Sequence, residues 1–149
     1  VKNDFFVKEN IPILLCIAAD VIQLGALVMY CVTGKTEFTA ELSSFVIAFG
    51  SVTVLLGICS ILLKLFSWGK KWVEVGLCVA ALFGLLTFLF YIVNEVNYIA
   101  NILVSIDGTK ISVTFALTVL LYLISWIMML VAAITCKYKP KENCYETGK

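Results

Sequence analysis

Few side chains in this chain are able to do chemistry. Asp20 and Gln23 lie one helical turn apart inside a long apolar run. Glu74 stands near the start of another such run, and Glu95 follows its end between Asn94 and Asn97. Six cysteines, Cys16, Cys31, Cys59, Cys78, Cys136 and Cys144, complete the set. All eleven basic residues are lysine, and there is no histidine. Those absences exclude a His-ligated metal site, a histidine general base, and an arginine clamp for phosphate or carboxylate. A lipid-directed enzyme would have only Asp20, Glu74 or Glu95 as acid or base, so no catalytic residue, cofactor or metal is expected. No two cysteines stand in a C-x-x-C spacing, which argues against a dithiol redox centre or a zinc site. A net charge of +1 carries no nucleic-acid signature.

Asp20 is the strongest candidate. It lies nine residues past Ile11, roughly 13 Å deep at ~1.5 Å per residue, close to the midplane of a ~30 Å hydrocarbon core. An ionised carboxylate at that depth costs at least ~2.5 to 3.5 kcal/mol, so it needs a reason to be there. Three arrangements fit. As a neutral acid it donates a hydrogen bond to another helix. In a hydrated cavity it carries protons or cations. Beside a Lys or Arg on a partner's membrane helix it forms an intramembrane pair. Gln23 shares whichever network applies.

The elements that position these groups are four apolar runs, Ile11 to Thr33, Phe45 to Phe66, Trp72 to Val93 and Val113 to Cys136. Each exceeds the ~18 to 20 residues that cross a bilayer as a helix. With 149 residues, 62% of them hydrophobic, and a mean hydropathy of +1.03, a soluble domain is excluded. The expected fold is an all-α integral membrane protein, one domain over residues 1–149. It is an antiparallel four-helix transmembrane bundle with short loops. Its helices span about 11–33, 45–66, 72–96 and 113–136, and residues 137–149 form a short tail. Nine lysines fall on one side and only Lys35 and Lys110 on the other, which places both termini in the cytoplasm. Trp68, Trp72, Tyr138, Tyr30 and Tyr98 read as interfacial aromatics. Asp107-Gly108 reads as a turn between helices rather than the tip of a small hairpin.

Helices associate in lipid through small residues and polar contacts, and each run carries one such stripe. The second has Gly50, Thr53, Gly57, Ser60 and Lys64. The third has Gly76, Ala80 and Gly84, then Thr87, Tyr91 and Asn94. The fourth has Thr114, Thr118, Ser125, Met129 and Ala132, and the first Cys16, Asp20, Gln23 and Leu27. We read Gly50, Gly57, Gly76, Ala80, Gly84 and Ser125 as helix-packing positions. Residue counting puts Gly57, Ala80 and Ser125 near the depth of Asp20. Cys136, at the membrane edge beside Lys137 and Lys139, is a candidate for S-acylation.

The function expected is that of a non-catalytic tetraspan acting by lateral assembly, an accessory or scaffold subunit of a larger membrane complex. The alternative is an oligomeric channel or a proton- or cation-coupled carrier built on Asp20. The expected partners are the lipid bilayer and other membrane helices, in a homo-oligomer or a larger complex, with no nucleic acid. The location is the plasma membrane or an endomembrane.

Overall fold

The computed structural model describes residues 11–33, 42–66, 69–104 and 111–136. These residues form five helices and no strand. They are α1 (Ile11–Thr33), α2 (Ser44–Leu65), α3 (Lys70–Asn94), α4 (Val96–Val104) and α5 (Val113–Thr135). Four of them are long and apolar enough to cross a membrane, the build of a multi-pass membrane protein. The two lysine-rich termini, the hairpin question at residues 105–110, Trp68 and Tyr138 lie outside the described residues.

Two boundaries differ from expectation by two residues, and the others by one at most. The third span begins at Lys70 and ends at Asn94, rather than running from 72 to 96. Gly69 sets its start. Its φ of 72° is a left-handed conformation that costs glycine little, and it turns the chain into α3. At the other end Glu95 steps out of helical geometry, and the chain resumes as the nine-residue α4. The connection read as a plain loop therefore contains a helix. The Ile99 amide still bonds the Glu95 carbonyl at 3.0 Å, so the break redirects the helix without leaving backbone groups stranded.

Helix α1 packs on α2 and α5, and α3 packs on the same two helices, which closes a ring of four. Long apolar side chains such as Val21, Leu55, Leu82 and Ile134 point away from that ring. The small and polar residues line its inside. This inversion of a soluble helix pattern suits a lipid exterior, where close contact rather than water exclusion holds helices together.

The interior has two parts. An alanine-rich cluster holds Cys16, Ala19, Val73, Leu77, Ala80, Ala81, Met129, Ala132 and Ala133. A tyrosine-rich cluster holds Ala26, Tyr30, Val46, Tyr91 and Tyr122. Asp20 and Gln23 lie in sequence between the α1 members of the two.

Candidate functional site

The glycines of α2 and α3 work as seats for side chains of the neighbouring helix. A Cβ on Gly57 would strike both carboxylate oxygens of Asp20. One on Gly50 would stand 2.7 Å from the Cδ2 of Leu27. One on Gly76 would strike the Ser60 hydroxyl. Gly84 has ordinary clearance, with Thr53 Cγ2 3.6 Å away. The small-residue pattern of α3 thus includes one true close approach, at Gly76, which is itself only half-buried. Ala80 is fully buried in the alanine-rich cluster.

Asp20 is only 5% exposed and its carboxylate faces Gly57 inside the ring. Among the described residues, neither of its oxygens has a hydrogen-bond partner, and the Gln23 Nε2 has none either. The reason lies in the stripe around them. Thr53 donates to the Phe49 carbonyl at 2.8 Å, and Ser60 to that of Leu56 at 2.8 Å. Thr87 donates to the Phe83 carbonyl at 2.8 Å, and Thr118 to that of Thr114 at 2.8 Å. Each hydroxyl spends its proton four residues back on its own helix. Ser125 differs, donating across the ring to the Ala19 carbonyl at 3.0 Å, one residue before Asp20. Cys16 completes the neighbourhood with weak contacts to the Gly57 carbonyl at 3.8 Å and the Met129 sulfur at 3.9 Å. The hydroxyls of these stripes are therefore already engaged, and none of them is donated to the α1 carboxylate.

A second polar group gathers around Glu95. This side chain is 1% exposed. Burial pushes its carboxyl above the usual carboxylate range, opposed by a hydrogen bond from Asn94. Asn94 also donates to the Tyr30 hydroxyl at 3.2 Å, and that hydroxyl accepts the Ser43 amide at 2.7 Å. The Tyr91 ring meets Tyr30 edge-on at 5.5 Å and packs against Phe115 and Tyr122 at 6.1 and 5.3 Å. Tyr30 and Tyr98, read as interfacial aromatics, are buried among the helices rather than exposed on the outside of the ring. Tyr98 accepts the Ser112 amide at 2.7 Å. Tyr91, Glu95 and Tyr98 recur at spacings of four and three, the one periodic signal that would have revealed this group in advance.

The remaining candidate, Cys136, caps α5 and is half-buried. Burial raises its thiol above the ordinary value, Lys64 pulls it down, and Glu74 and Cys78 add to the rise. A raised thiol is a poor nucleophile by itself, so acylation there would need an enzyme to activate it. Among the described residues, no three His, Cys, Asp or Glu side chains come together in a way that could hold a metal ion. Between α3 and α5 runs an open apolar groove of about 430 Å³, with Glu74 and Cys78 in one part and Trp126 and Leu85 in another.

Comparison with protein-family models, with curated proteins and with solved structures finds no match for this chain.

Proposed function

We propose that this chain is a non-catalytic tetraspan that works by lateral assembly, as an accessory or scaffold subunit of a larger membrane complex. Its four spans run antiparallel with both termini in the cytoplasm, in the plasma membrane or an endomembrane. The pairing of Cys16 with Met129 and of Ala19 with Ser125 favours opposite directions for α1 and α5. One observation carries the functional reading. Asp20, Gln23 and Glu95 are turned into the ring, while the outside is largely apolar, carries the exposed thiols of Cys31, Cys59 and Cys78, and is interrupted by the α3–α5 groove. A surface of that kind meets lipid and other helices. A Lys or Arg from a partner would have to part α1 from α2 to reach Asp20, so we assign assembly to the groove instead.

The test is the size of the complex solubilised from native membranes. Leu82→Lys, on the exposed wall of the groove, is expected to shift the chain from a larger assembly to a monomer with unchanged helicity. A wild-type chain that already runs as a monomer would refute the reading.

The unpartnered Asp20 and Gln23 favour a second reading, an oligomeric channel or a proton- or cation-coupled carrier. Under it, Asp20→Asn abolishes flux in proteoliposomes and leaves assembly intact. Equal flux in the variant removes this alternative.

A further inference from the structure

A small cavity opens beside Glu95, lined by Tyr30, Tyr91, Ser112, Thr114, Phe115 and Thr118 among others. Its volume is about 20 Å³. One water-sized guest needs ~10 to 15 Å³, so there is room for a single small species without a hydration shell. Glu95 lines this cavity, is almost fully buried, and among the described residues leaves Oε2 without a partner. Such an oxygen requires either a donor or a positive charge. The titratable neighbours facing it are the phenols Tyr30 and Tyr91, and no described cation lines the cavity.

The lining has the chemistry of a weak cation site. It offers one carboxylate oxygen, the hydroxyls of Ser112, Thr114 and Thr118, and the rings of Tyr91 and Phe115. Hydroxyl oxygens are hard ligands, and aromatic faces attract positive charge through their quadrupole. A divalent ion is a poor match, because calcium and magnesium sites draw on several charged or carbonyl oxygens. One carboxylate balances one unit of charge. We propose that this cavity binds a single dehydrated monovalent cation, of the alkali-metal or ammonium class, with Glu95 as its anionic ligand. The competing occupant is a water, which would accept from Tyr30 and donate to Glu95 but would leave the carboxylate's charge unbalanced.

The experiment uses the purified full chain in detergent. Its melting temperature is read in sodium, potassium, lithium and ammonium chloride against choline chloride at equal ionic strength. Choline is too large for the cavity. At least one small cation is expected to raise the melting temperature by several degrees, saturably, as ligand linkage requires. Glu95→Gln should lose that response, and Glu95→Asp should weaken its apparent affinity. A titration of wild-type tyrosine fluorescence gives a second readout should the variants fold poorly, because two tyrosine rings line the cavity. No cation exceeding choline would overturn the proposal, as would an undiminished response in Glu95→Gln. The sequence also supplies Lys35 and Lys110, two residues beyond Thr33 and two before Ser112. A response that emerges only in a K35Q/K110Q variant would equally overturn it, by assigning the cavity to the chain's own ammonium.

Discussion

Asp20 and Glu95 are both buried carboxylates in the same ring of helices, yet they live under opposite conditions. Asp20 lies mid-helix, closely fitted over a glycine, while the stripe hydroxyls of α2 serve their own backbone and Ser125 serves the Ala19 carbonyl. Glu95 lies at the break between α3 and α4, where an amide side chain reaches it and phenols and a small cavity surround it. A helix interior has no spare N–H to offer, because each amide already serves the carbonyl four residues back. A helix break frees both space and side-chain directions. Whether a buried acid is served thus follows from where its element ends rather than from how deep it lies.

The sharpest way to break this contrast is to take away the seat of Asp20. Gly57→Ala should destabilise by about 1–3 kcal/mol, the usual range for overpacking, and by more if α1 cannot withdraw. The double variant with Asp20→Ala should recover most of the loss. A cycle of reversible unfolding in mixed micelles measures that coupling, and additive effects would show that the two residues do not meet. The next effect has the opposite sign. Asp20→Ala alone should stabilise by about 1–2 kcal/mol, because it removes an unsatisfied buried acid, whereas a stabilising Glu95→Ala would erase the distinction.

Smaller effects separate phenols that hold something from one that does not. Tyr30→Phe removes the acceptor for the Ser43 amide and should cost about 1–2 kcal/mol. Tyr122→Phe should be neutral within about 0.5 kcal/mol, because its hydroxyl has no partner. The smallest signal is in pH. Glu95 holds its proton more tightly folded than unfolded. Below the ordinary carboxylate range, both states are protonated and the residue is silent. As pH rises through ~4.3, the unfolded chain releases its proton first, and stability falls until the folded carboxyl also ionises. Glu95→Gln should remove that fall, read as melting temperature against pH in choline buffer.

Much of this arrangement could be read from the residues, and the reasons are physical. Four spans follow from apolar length alone. The inward stripes follow from helical period, and residue counting set Gly57 at the depth where the carboxylate of Asp20 is found. The Glu95 group was harder to see. Its members come from α1, α3, α4 and α5, and no local pattern encodes a phenol of one helix accepting the first amide of another. α4 was missed for a related reason. Nine residues directly after a span, with two asparagines among them, resemble a loop until Tyr98 is seen to be buried.

Those two phenol–amide bonds bear on how the protein could be taken apart. Neither Ser43 nor Ser112 caps its helix with its own side chain, and the neighbouring tyrosine takes the amide instead. Tyr30 and Ser43 both belong to the α1–α2 half, and Tyr98 and Ser112 to the α3–α5 half. Each half therefore carries its own fastener, whereas Asn94 with Tyr30 and Ser125 with Ala19 join one half to the other. A gene divided between α2 and α3 should yield two fragments that insert separately and reconstitute the whole on co-expression, read as co-purification of one fragment with the other.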